Sequence, residues 1–122
     1  MTRHNDVSGE RLPGFAYRKV NGGRNSGRVV LYSEQIPLLK LAKKYDTPLY
    51  VYSAETIHER YTTFDRAFAQ IPHTICYSVK ANSNLSILRL LAKKGCGFDV
   101  VSAGELERVL FADRRAAKKV VF

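Results

Sequence analysis

Lys80 stands inside the run Tyr77-Ser78-Val79-Lys80-Ala81-Asn82, at the end of a short apolar stretch. Thr74-Ile75-Cys76 leads into it as a β-compatible segment, and the pattern turns helical from Asn84 to Lys94. A lysine at the C-terminal end of a strand, just before a helix, lies where α/β proteins build active sites. Lysine forms Schiff bases when its amine is neutral and held in place. Period-two alternation puts Thr74, Cys76, Ser78 and Lys80 on one side of the expected strand and Ile75, Tyr77 and Val79 on the other. The second set is larger and more apolar, so it is expected to face covering helices. The first set then lines the interior, with Lys80 at its C-terminal mouth. On spacing alone, an ordinary surface lysine at a strand end is an equal reading.

Three further residues could join that lysine. Asp99 lies within Gly97-Phe98-Asp99-Val100-Val101-Ser102, and a charge in so apolar a strand is costly unless paired. Lys80 on the neighbouring strand is its expected partner. Ser78 faces the same way as Lys80; it either touches what the lysine binds or is simply a small residue chosen for space. Glu105 opens the next helical pattern, where the helix dipole alone favours an acid. Asn82 is expected to shape the turn after Lys80 through side-chain bonds to backbone. Cys76 reads as core and Cys96 as part of the turn Gly95-Cys96-Gly97. His4, His58 and His73 lack ligand spacing and read as surface or loop histidines, so no metal is expected.

The elements that must position these residues follow from pattern. Residues 1–28 are polar and rich in glycine and arginine and read as a loose arm with irregular turns. Val29-Val30-Leu31-Tyr32 reads as a strand, and Pro37 suits the first turn of a helix running to about Tyr45. Asp46-Thr47-Pro48 breaks that helix. Leu49 to Tyr52 reads as a second short strand, and Ser53 caps the next helix. Ile57, Tyr61, Phe64 and Phe68 make one apolar stripe there, expected to pack on a sheet. Ile71-Pro72 closes it. Strand steps then begin at Thr74, Gly97 and Lys119, and their alternation with helices argues for a parallel sheet in an α/β fold.

Composition narrows the function classes. The 122 residues are 45% hydrophobic and 25% charged, as in ordinary globular proteins, and no apolar run approaches a membrane span. The start, Met1-Thr2-Arg3-His4-Asn5-Asp6, lacks the apolar core of a signal peptide, so a cytoplasmic protein is expected. Two cysteines make no disulfide framework. The net charge of +9 is spread along the chain without aromatic interleaving, which argues against nucleic-acid binding. Lys43-Lys44 and Lys93-Lys94 instead close helical segments.

The run from Tyr77 to Asn82 resembles the cofactor-lysine motif of the pyridoxal-phosphate decarboxylases that act on ornithine, lysine, arginine or diaminopimelate and are built on an alanine-racemase-like barrel. Thr47-Pro48-Leu49-Tyr50-Val51-Tyr52-Ser53 resembles the segment leading into the barrel in the diaminopimelate branch. Gly97-Phe98-Asp99-Val100-Val101-Ser102-Ala103-Gly104-Glu105-Leu106 resembles the second barrel strand and the helix start after it. Ser83-Asn84-Leu85 follows the lysine motif where alanine racemases carry a tyrosine-glycine segment, which favours the decarboxylases.

The resemblance implies the start of a pyridoxal-phosphate-binding (β/α)8 barrel of fold type III, with residues 1–46 as an arm before it and residues 47–122 as its first part. Such a barrel needs about 250 residues, so the chain is expected to be truncated after two to three strands, in the apolar run Val120-Val121-Phe122. The glycine-rich phosphate loop, the C-terminal β-domain, the catalytic cysteine and the substrate-binding residues are then expected beyond it. By resemblance Lys80 forms the covalent link with pyridoxal phosphate, and Asp99, Glu105 and Ser78 approach it. The implied reaction turns meso-diaminopimelate into L-lysine and carbon dioxide in a homodimer. The alternatives are another decarboxylase of the family, or a non-catalytic remnant that binds a partner.

Overall fold

The computed structural model describes residues 13–21 and 26–122. The chain divides into two units, residues 1–56 and residues 57–122.

The first unit holds an antiparallel meander of β1 (Phe15–Lys19), β2 (Val29–Ser33) and β3 (Ile36–Pro37), in the order β1-β2-β3. Phe15 pairs with Ser33, and Lys19 with Val29. β1 falls inside the segment expected to be a loose arm. Phe15 and Tyr17 alternate with smaller or polar residues, and pairing with β2 satisfies their backbone. The rest of that expectation, residues 1–12 and 22–25, lies outside the described residues.

Between β2 and β3 the two-residue turn places Glu34 at φ 53°, a left-handed conformation that its side chain helps to hold. The Glu34 carboxylate accepts from the Ser53 hydroxyl and from the Glu55 amide, each at 2.9 Å. Those bonds keep it below the usual carboxylate range, the backbone amide of Glu55 being the main cause. α1 (Leu38–Tyr45) follows Pro37 as expected, with Lys43 and Lys44 in its last turn. The expected strand over residues 49–52 is absent: among the described residues no strand pairs with it, and Tyr50 stands 87% exposed. Apolar composition there is not matched by a ladder. α2 (Ala54–Ala67) starts where Ser53 predicts, with the Thr56 amide donating to Ser53 Oγ at 3.0 Å.

The second unit alternates strands and helices. Its elements are β4 (Cys76–Ser78), a 3-10 turn (Val79–Ala81), α3 (Leu85–Lys93), β5 (Gly97–Asp99), α4 (Ala103–Ala112), a 3-10 segment (Arg114–Lys119) and β6 (Val120–Val121). The strands are parallel, in the order β4-β5-β6. The expected α/β alternation is therefore present. The strand expected to run through Lys80 is shorter than its alternation suggests. It ends at Ser78, because Val79 turns inward to be fully buried and the backbone coils into the 3-10 turn.

Val79, Ile87, Leu88, Leu91, Phe98, Val100 and Val109 form the core, between the sheet and its helices. Burying such side chains is worth about 1.5–3 kcal/mol each. Of the α2 stripe, Ile57 and Tyr61 pack against this core, whereas Phe64 and Phe68 are 56% and 39% exposed. Only the first half of the stripe meets the core; Phe64 and Phe68, the latter past the helix end at Ala67, pack instead on each other with ring centroids 5.1 Å apart. α3 stops at Gly95 (φ +83°): the Gly95 amide donates to Ala92 O and the Cys96 amide to Leu91 O. Gly97 permits close packing, since a methyl there would lie 2.6 Å from Lys119 O and 2.7 Å from Cys76 Sγ.

Candidate active site at the ends of the parallel strands

Register brings the candidate residues to one end of the sheet. Ser78 and Asp99 are Cα partners, the last residues of β4 and β5. Ser78 Oγ donates to Asp99 Oδ2 at 3.0 Å, and both residues are half-buried. Asp99 is thus satisfied by the serine. Among the described residues no ion pair joins it to Lys80, contrary to the expected pairing. The cause is the 3-10 turn, which carries Lys80 out of the strand and leaves its side chain exposed.

The turn is tied down closely. The Tyr77 hydroxyl donates to Asn82 O at 3.1 Å, and the Asn84 amide to Asn82 Oδ1 at 3.0 Å. Asn84 Oδ1 in turn accepts from the Ser86 amide at 2.9 Å and caps α3. Asn82 therefore shapes the turn as its type suggests. Arg108, on α4, donates from Nε to Ser83 O at 2.8 Å. Neither the Tyr77 hydroxyl nor Arg108 stands out in the sequence as part of a site. Tyr77 reads as an apolar, helix-facing residue, and nothing in the pattern of α4 ties Arg108 to a carbonyl 25 residues upstream.

Glu105 serves the start of α4. Its Oε2 accepts from the Val101 amide at 2.9 Å, while its own amide donates to Ser102 Oγ at 3.3 Å. This is a reciprocal cap of the Ser-x-x-Glu type, displaced by one residue on the acceptor side. The first-turn reading accounts for both hydrogen bonds.

The remaining reactive types lie elsewhere. Cys96 is buried at the start of β5, its Sγ near Ile75 O and Gly97 O, and burial pushes its thiol up to about 11. A thiol so protonated is no nucleophile at neutral pH. A cleft of about 330 Å³, lined among others by Lys93, Cys96, Arg115 and Lys119, opens beside it, before β5 begins. Arg115 is paired there with Asp113 at 2.8 Å, and Lys119 Nζ donates to Gly95 O at 2.8 Å. His73 bonds Asp65 at 3.1 Å, and His58 Nε2 lies 3.3 Å from Lys94 Nζ. Among the described residues, no group of three ligand types could hold a metal, and no helix is long and apolar enough to cross a membrane.

Residues 54–122, more than half of the chain, match the pyridoxal binding domain of the pyridoxal-dependent decarboxylases. The chain belongs to the pyridoxal-dependent decarboxylase family. Its relatives include the diaminopimelate decarboxylase of Vibrio cholerae, 54% identical over 90 residues, which are 74% of this chain and 22% of that protein. The corresponding enzyme of Haemophilus influenzae is 51% identical over the same share of each chain. Among solved structures, diaminopimelate decarboxylase from M. jannaschii in co-complex with L-lysine superposes with a TM-score of 0.71 at 40% identity, over 76% of this chain and 23% of that one. The chain thus spans about a fifth of the length of the relatives it matches. The parallel β4-β5-β6 sheet with its helices is the start of the family's cofactor-binding barrel.

Proposed function

We propose that this chain supplies the cofactor-lysine end of a pyridoxal-phosphate-dependent diaminopimelate decarboxylase, with Lys80 as the lysine that binds the cofactor. The observation that carries the reading is Lys80 on its tied 3-10 turn, beside the in-register pair Ser78 and Asp99, within the residues that match the pyridoxal binding domain. The donor set fits the group. A primary amine is the group that an aldehyde condenses with once the amine has given up its proton, and the hydroxyl–carboxylate pair at the strand ends offers polar contacts nearby. When bound, pyridoxal phosphate supplies an electron sink for the pair left behind as the α-carboxylate departs as carbon dioxide.

The chain's own part is to hold and orient. Lys80 Nζ anchors the group and, when freed, carries a proton at that spot. Ser78 Oγ fixes the rotamer of Asp99 by its hydrogen bond, which holds the carboxylate at the sheet end where the Lys80 turn departs. The 48–54% identity to diaminopimelate decarboxylases from several bacteria supports meso-diaminopimelate as substrate and L-lysine as product. A homodimer in the cytoplasm belongs to the same reading.

The test is a chimera in which the 90 matched residues replace their counterparts in the Vibrio cholerae enzyme. Carbon dioxide release from meso-diaminopimelate, abolished by Lys80→Ala, is the expected result. A folded chimera that is inactive, or active without Lys80, overturns the reading.

A further inference from the structure

We infer that Tyr77 and Arg108 are positioning residues for Lys80, clamping from two sides the backbone turn that carries it. The inference rests on Lys80 being the cofactor lysine.

A strand-to-helix turn leaves carbonyl groups that belong to neither ladder nor helix. Here side chains take two of them in succession. The Tyr77 hydroxyl reaches Asn82 O, and Arg108 Nε reaches Ser83 O. The first bond closes a ring around residues 78–81, so Lys80 lies within a loop fastened at both ends. Beneath it, Val79 is fully buried, and the Tyr77 ring stands edge-on to Phe98 with centroids 6.5 Å apart. The hydroxyl that closes the ring is therefore mounted on a rigid core aromatic. The second bond ties the turn to α4, the helix that follows the next strand.

Neither side chain needs to touch the amine to matter. Lysine has a flexible four-carbon stem, and its reach depends on where its Cα is held. A fixed backbone confines the stem to a smaller volume and lowers the entropy lost when Nζ meets an aldehyde. The guanidinium is suited to the second bond, because a charged donor makes a stronger hydrogen bond to a carbonyl in partly exposed surroundings.

Two measurements on the full 122-residue chain test this. One is amide hydrogen exchange at Ser83 and Asn84. The other is borohydride-trapped pyridoxyl label on Lys80, relative to Lys93 and Lys94, read by peptide mass spectrometry. Tyr77→Phe removes only the hydroxyl and keeps the ring on Phe98. Arg108→Ala removes the donor from an exposed helix position, and Arg108→Lys restores a cation able to reach the same carbonyl. Loss of either hydrogen bond is expected to speed exchange about tenfold and to cut Lys80 labelling about fivefold. Labelling of Lys93 and Lys94 should not change, and Arg108→Lys should recover most of the loss.

Faster exchange with unchanged Lys80 labelling overturns the positioning role and leaves the two contacts purely structural. Unchanged exchange overturns the clamp itself. Equal labelling of all lysines in the unsubstituted chain overturns the positioning role, because the held turn then gives Lys80 no advantage; the cofactor reading is decided separately by the chimera. That failure shows before any variant is made, so it is distinct from a failure of the clamp.

Discussion

At the end of β4 the chain coils through a 3-10 turn and needs residues 79–84 to reach α3; at the end of β5 it passes through residues 100–102 straight into α4. Both junctions sit at the C-terminal ends of neighbouring parallel strands, and they use their polar groups differently. The first takes hydrogen bonds from Tyr77 and Arg108 onto its carbonyls and leaves the Lys80 amine exposed. The second directs Ser102 and Glu105 to its own amides, as a helix cap. The same place in a fold can therefore present a reactive group or simply start a helix. Both junctions cap their helices, Asn84 through the Ser86 amide and Ser102 through the Glu105 amide; what differs is the 3-10 turn inserted before the first cap, which carries Lys80.

The largest effect expected from that difference is at Lys80. Lys80→Ala should remove the selective pyridoxyl label from the first junction entirely, with no transfer to Lys93 or Lys94. A label that persists on a neighbouring lysine would mean that the end of the sheet, rather than this turn, selects the amine. The comparison between junctions would then lose its basis.

Phe98 is the floor shared by both. It is fully buried, is the register partner of Tyr77 on one side and Val120 on the other, and directly precedes Asp99. Phe98→Ala should cost about 3–5 kcal/mol, read as a lower urea midpoint or loss of cooperative unfolding. Exchange should rise at both junctions together. A rise confined to the first would show that the cap of α4 stands without the sheet beneath it.

The opposite end of β5 gives an effect of intermediate size. The Cys96 thiol, ordinarily near 9.0, is pushed up to about 11 by burial. Between those values the folded chain keeps its proton and the unfolded chain releases it. Stability therefore falls as pH rises through this window, by about 2–3 kcal/mol at its upper end. Urea midpoints at pH 8 to 11, compared with those of Cys96→Ala, isolate the contribution of the thiol. Parallel curves for the two proteins would mean that the thiol is solvated.

Much of this was legible in the sequence. The apolar patterns around residues 76–79 and 97–100 announced two parallel strands, Ser53 announced a helix cap, and Asn84 and Glu105 marked two further helix starts. Local chemistry fixes such features, so local patterns reveal them. Alternation failed at Lys80 because it assumes an extended backbone, and the burial of Val79 favours coiling one residue earlier. Composition misled in two other places: at residues 49–52, whose apolar side chains meet no pairing strand among the described residues, and at β1, where a polar, glycine-rich surrounding hid a strand whose partner is β2. The Ser78–Asp99 pair needed the register of β4 on β5. The Tyr77 and Arg108 contacts were hidden for a related reason. A hydroxyl on an apolar ring and an arginine on an exposed helix face acquire meaning only through the carbonyls they meet.

The smallest effect is the sharpest test of the contrast. Ser102→Ala removes the acceptor of the Glu105 amide and should lower stability by about 1 kcal/mol, the usual worth of such a cap. Glu105 keeps its bond to the Val101 amide, so the helix start frays without opening. Arg108 lies more than one turn further along α4 and should still hold Ser83 O. Lys80 labelling is therefore expected to stay unchanged, although the helix carrying Arg108 is weakened. A fall in labelling comparable to that of Tyr77→Phe would mean that the cap of α4 acts on Lys80 through Arg108. The two junctions would then be one unit, with Ser102 part of the same support.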